Sequence, residues 1–150
     1  MDMDMGAGYD PLTIAEGVAE FVVLAELSTA LSERLVGWST DGADPDSSAV
    51  MASLGARLAE HSTWWTERIA ESVLLDGERT TASASGSGRL AEVLGLLDVE
   101  GSDRTAAVVP VLERLMAYLG ALTERLSPVG DAPARRTIRL VLADLEDRPR

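Results

Sequence analysis

Between Val108 and Leu126 the apolar residues Val108, Leu112, Leu115, Leu119, Leu122 and Leu126 recur at alternating intervals of four and three. Residues so spaced gather on one side of an α-helix, whose turn takes about 3.6 residues, but scatter over both faces of a strand, whose period is two. A helix carrying one apolar stripe cannot bury it alone, so it demands partners of the same kind.

The rest of the chain supplies them. Ile14, Phe21, Leu24, Ser28, Leu31, Ser32 and Leu35 share one broad face of a helix predicted to run from Asp10 to about Trp38. Asp10 would be its N-cap and Pro11 its first helical residue, while Glu26 and Glu33 fall on the opposite side. The run from Ser39 to Pro45 is dense in breakers and caps and predicts a compact turn. A second helix follows from about Asp46 to Leu74, with Val50, Leu54, Leu58, His61, Trp65, Arg68 and Ser72 as its inward stripe.

Gly77 to Gly88 is a low-complexity connection, followed by a short helix over Arg89–Leu97. The third long helix spans about Asp103–Leu126, and its internal Pro110 predicts a kink or a later start. Ser127 to Asp131 breaks the chain before a fourth helix over Ala132–Asp147. No segment alternates as a strand would. Two of the three connections between long helices are short, which predicts an all-α, antiparallel four-helix bundle with a short extra helix in the middle connection. Residues 1–9 read as a flexible tail and residues 10–148 as one domain; a chain of 150 residues is long enough to bury a core.

Charge narrows the function classes. A net charge of −12 repels phosphate backbones and anionic membranes. The one basic cluster, Arg135, Arg136 and Arg139, is flanked by Asp131, Asp144, Glu146 and Asp147, so no nucleic-acid partner is expected. No apolar run approaches the ~18–20 residues of a membrane span; the densest, Phe21 to Ala25, lies between Glu20 and Glu26. The acidic first residues, Met1 to Met5, lack a signal-peptide pattern, so a cytoplasmic location is expected. With no cysteine, disulfides and thiolate chemistry are absent. All 13 basic residues are arginine, which removes Schiff-base chemistry and a P-loop lysine.

The second helix carries Ala59-Glu60-His61-Ser62-Thr63-Trp64-Trp65-Thr66-Glu67-Arg68. That run, the end of the first helix from Leu27 to Trp38, and the tail from Ala134 to Asp144 resemble the ferritin-like superfamily of di-iron carboxylate bundles. Small bacterial ferritin-like domains of unassigned role are the most similar. The resemblance implies a bundle with a metal centre between its helices. Such a centre takes a Glu from each of two helices and a Glu-x-x-His pair from each of the other two, because residues three apart share a helix face. Here Leu58 stands three residues before His61, Ser28 occupies the inward position of the first helix, and His61 is the only histidine. The set cannot be completed. The expectation is a degenerate member with no metal and no cofactor.

His61 then has three possible roles. Beside Leu58 and Trp65, burial would lower its pKa and favour a neutral general base. As a metal ligand it would need carboxylates from among Glu20, Glu60, Glu113, Asp144 and Glu146. The commoner fate of such a residue is a hydrogen bond to a neighbouring hydroxyl, here Ser28 or Ser32. An inward Arg68 must be paired, by Glu20, Asp144 or Glu146, or must clamp a substrate carboxylate. A pocket formed by Trp65, Tyr118, Phe21 and Met116 could hold an apolar molecule; equally, these residues could simply fill the core.

The expected function is small-molecule binding in the former metal cavity, with His61 catalytic and Arg68, Trp65, Ser28 and Tyr118 contacting substrate. That suits an accessory enzyme of small-molecule or secondary metabolism. Two alternatives stand beside it: a homodimer or docking protein using Ala19, Val22 and Val23 of the first helix, and an atypical di-metal oxidase with irregular carboxylate ligands.

Overall fold

A computed structural model of the chain describes residues 11–69, 90–98 and 104–148, and every regular element among them is helical. The elements are α1 (Ile14–Thr40), α2 (Ser48–Arg68), α3 (residues 90–96), α4 (Arg104–Glu124) and α5 (Ala132–Glu146).

The first helix starts three residues later than Asp10-Pro11 suggested. Thr13 is the N-cap: its Oγ1 accepts from the Glu16 backbone N–H at 3.1 Å, while the Glu16 carboxylate accepts from the Thr13 N–H at 2.9 Å. This reciprocal box satisfies two orphan donors at once, which a lone Asp-Pro step cannot do. Asp10 itself, like the rest of the predicted tail, lies outside the described residues. Helix α2 ends at Arg68, with Ile69 in an extended conformation, so of the predicted span only the part to Arg68 is described as helix. Helix α4 starts at Arg104 and passes straight through the exposed Pro110.

The inward stripes are those the spacing predicts. Val108, Leu112, Leu115, Leu119, Leu122 and Leu126 are all buried, as are Leu54, Leu58, His61 and Trp65 on α2. Ile14 and Val50 are exposed in the opening turns of their helices and Arg68 is only half-buried, while Ser72 lies outside the described residues. By length and composition α4 could cross a membrane; here its apolar stripe belongs to the core shared with α1, α2 and α5.

Polar contacts fix which helices are neighbours. Ser62 Oγ donates to the Ala25 carbonyl at 3.0 Å and shares a 2.6 Å hydrogen bond with Thr29, while Ser32 Oγ donates to the Gly55 carbonyl at 2.7 Å. Residue numbers thus rise along α1 as they fall along α2. The same inversion relates α1 to α4, through Tyr118–Glu20 and Arg104–Asp41. It relates α4 to α5 through Arg148–Glu113 and Arg135 on the Thr123 carbonyl, and α2 to α5 through Arg57–Asp147 and His61–Asp144.

Arginines hold the helix ends. Neither α1, α4 nor α5 has a basic residue in its own last turn, yet cations favour helix C-termini. Arg104 donates to the Trp38 carbonyl at the end of α1, grips both oxygens of Asp41 at 2.8 and 2.6 Å, and lies 4.9 Å over the Trp38 ring. The Arg104 guanidinium, helped by the Ala43 N–H, holds the Asp41 carboxyl down at about 2.

Candidate functional site

His61 is wholly buried in the middle of α2. Three- and four-residue spacing from Leu54, Leu58 and Trp65 turns it inward, where α5 closes over it. Its partner is Asp144 rather than Ser28 or Ser32: Nε2 lies 2.8 Å from Asp144 Oδ2, and Ser32 Oγ is occupied by the Gly55 carbonyl. An ionised carboxylate only accepts, so the proton sits on Nε2 and leaves Nδ1 as a bare acceptor. That Nδ1 is buried and has no hydrogen-bond partner among the described residues. Burial lowers the His61 pKa, opposed by the hydrogen bond and charge of Asp144, so the neutral ring is favoured. The Trp64 ring lies against it, tilted by 39° with centroids 5.2 Å apart.

The remaining candidates do not converge on His61. Ser28 is buried on α1. Trp65 is buried too, and stacks on Phe21 at 6.1 Å and 10°, which makes it a core residue. Arg68 is half-buried at the end of α2, in an open groove with Trp64, Glu67, Arg136, Arg139 and Leu140. It forms no ion pair with Glu20, Asp144 or Glu146. Tyr118 lies on the other side of α1, where its hydroxyl donates to the Glu20 carboxylate.

Tyr118 does line a pocket. A half-enclosed, almost wholly apolar cavity of about 200 Å³ opens where α3 lies over α1 and α4. Val23, Leu24, Leu27 and Leu31 form its floor, Val93 and Leu96 come from α3, and Val111, Leu115, Tyr118 and Arg114 come from α4. Nothing local in the sequence marks this site, because the aromatic residues by themselves suggest one shared pocket. Phe21 and Trp65 instead stack on each other in the core, and the cavity opens where the short α3 meets α1 and α4. Val23, predicted as outer surface, helps to form this cavity, and Val22 beside it is buried.

A di-iron centre does not fit these residues. Leu58, fully buried, takes the place of the carboxylate three residues before His61, and Ser28 takes that of the α1 ligand. Among the described residues no three His, Asp or Glu side chains are grouped as a metal site requires. No protein-family model, curated protein or solved structure matches the chain.

Proposed function

We propose that this chain is an antiparallel four-helix bundle of the ferritin-like type, without the di-iron ligand set, that binds one small apolar molecule without a metal. The inverted contacts within four helix pairs support the bundle. The short Ala-Glu-His run and the α1 and α5 segments support the ferritin-like kinship. The observation that carries the function is the cavity beneath α3: about 200 Å³ of apolar space beside the core. An apolar cavity of ~150 Å³ already admits benzene. The site therefore moves from the neighbourhood of His61 to the α1–α3–α4 seam, with Tyr118 kept from the predicted set. An accessory role in small-molecule or secondary metabolism, in the cytoplasm, fits such a binder.

Titration with hexanol or octanol, followed by amide chemical shifts, tests this reading. One saturable site is expected, with shifts confined to the lining residues and abolished by Val93→Trp. Non-saturable shifts, or binding indifferent to Val93→Trp, would sink it.

A second reading rests on the orphaned Nδ1 of His61. With Nε2 held by Asp144, Nδ1 is left as the basic atom of the ring, and Trp64 packs between His61 and the arginine-lined groove in which Arg68 would hold an anionic substrate. Loss of activity in His61→Gln with the fold intact would favour it, once a substrate is in hand. The homodimer through α1 has less support, since Val22 is buried and Val23 is partly covered by α3. The oxidase reading has least, for want of a grouped ligand set.

A further inference from the structure

Resting on the pocket reading above, we infer that the ligand is a compact monocarboxylate: an apolar body of roughly six to eight carbons with an anionic head held by Arg114. Among the described residues that line it, the cavity is apolar apart from Arg114 and Tyr118. The Tyr118 hydroxyl spends its proton on Glu20, so it offers the pocket no free hydrogen-bond donor. Arg114 is exposed on α4 and makes no hydrogen bond or ion pair among the described residues. In a chain of net charge −12, where carboxylates outnumber cations, an arginine left unpaired at the mouth of an apolar cavity is a ready anion receptor.

The chemistry selects the head group. A guanidinium offers two parallel N–H donors matched to the two oxygens of a carboxylate, and such charge-assisted pairs are about twice as strong as neutral ones. A hydroxyl cannot use that fork and an ammonium is repelled by it. The volume selects the body. The cavity exceeds the ~150 Å³ that holds benzene but falls short of the ~300 Å³ where drug-sized sites begin. Two charges on the ligand would leave one facing leucine and valine, so a single carboxylate fits best.

Octanoate, octanol and octylammonium share a tail and differ only in the head, so titrating the full chain with each by calorimetry separates the two claims. Octanoate is expected to bind about fivefold to tenfold tighter than octanol, a margin of roughly 1 kcal/mol or a little more. Octylammonium should bind more weakly than either, and the preference for octanoate should shrink with added salt. In Arg114→Gln, octanoate and octanol should bind alike, with the octanol affinity unchanged. Equal binding of octanoate and octanol to the unaltered chain would overturn the head-group inference and leave the pocket standing. If none of the three binds, the pocket reading fails as well. A preference for octanoate that survives Arg114→Gln would overturn the role of Arg114.

Discussion

Replacing Gly55 by alanine should destabilise the fold even though alanine is the better helix former. Gly55 lies in the interior of α2, against α1. A Cβ there would sit 2.8 Å from Val36 Cγ2, 3.3 Å from the Ser32 carbonyl oxygen and 3.4 Å from the Val36 nitrogen. Two of those atoms are backbone and cannot swing away, and a valine in a helix is held to essentially one rotamer. The Ser32 Oγ bond to the Gly55 carbonyl, at 2.7 Å, pins the same contact. Alanine gains about 1 kcal/mol of helix propensity, while overpacking a close contact costs about 1–3 kcal/mol. Further loss is expected if the hydrogen bond lengthens. The net expectation is a loss of about 1–2 kcal/mol, or roughly 2–8 °C in Tm for a chain of this size.

The same substitution elsewhere should have the opposite sign. Gly37 on α1 and Gly120 on α4 are exposed within helices, and a Cβ at either would meet nothing within 4 Å. Each alanine there should stabilise by up to about 1 kcal/mol. Urea melts followed by far-UV circular dichroism measure all three. Val36→Ala, at a half-exposed position, should relieve part of the Gly55→Ala cost in a double-mutant cycle, with a coupling of at least ~0.5 kcal/mol. A Gly55→Ala protein as stable as the Gly120→Ala protein would refute the close approach of α1 to α2.

Two further outcomes are expected. His61 is the chain's only histidine and burial lowers its pKa, so as the pH falls the unfolded chain takes up its proton first. Its contribution is complete above the unfolded value of ~6.5 and is lost as the pH drops toward the folded one. Urea midpoints should therefore fall between about pH 7 and 5.5, with the fall absent in His61→Gln; a rise in that window would contradict a neutral buried ring. At the start of α1, Thr13→Ala should cost about 1 kcal/mol in thermal melts and Asp10→Ala far less; the reverse order would restore Asp10 as the cap.

How much of the fold was legible depended on how local the cause was. The alternating three- and four-residue spacing of Val108 to Leu126 identified a buried stripe because the period of a helix is a property of the backbone alone. Ile14 and Val50 continue their stripes yet lie exposed in the first turns of α1 and α2, where the described residues leave them largely uncovered. The start of α1 was misplaced because two cap signals, Asp10-Pro11 and Thr13-x-x-Glu16, sit three residues apart and the reciprocal box wins. Gly17 to Leu31 carries apolar residues on nearly every side, as suits a helix covered from more than one direction. Part of that cover is α3, with Val93 and Leu96 facing Val23 and Leu27 across the pocket.

The site was less legible because its pairings are long-range. The spacing turned His61 inward and predicted the direction of its pKa shift. Nothing local marked Asp144 as its partner, since in sequence Asp144 belongs to an acidic helix end with Glu146 and Asp147. Asp144 meets His61 because α5 packs against α2, a pairing also made through Arg57 and Asp147. Arg68 and Arg136 stand far apart in sequence yet share one groove for the same reason.

The arginines show why residue type and tertiary position must be read together. None of α1, α4 and α5 carries a basic residue within its own last turn, although Arg148, just beyond α5, donates to the Leu145 carbonyl. Each receives one from another helix: Arg104 from α4 on the Trp38 carbonyl, Arg135 from α5 on Thr123 and Leu126, and Arg57 from α2 on Asp144. Arg34 of α1 does the same for α3 at Leu97. A guanidinium can bond a carbonyl and a carboxylate together, as Arg57 does with the Asp144 carbonyl and the Asp147 side chain. A lysine, as a compact point charge, has no such fork. In a chain without lysine, four of the 13 arginines, Arg34, Arg57, Arg104 and Arg135, serve as these cross-helix caps. Outside that scheme, Arg68, Arg136 and Arg139 share the open groove beside Trp64, and Arg114 lines the apolar cavity, so the arginines not spent on helix ends stand where an anion would find them.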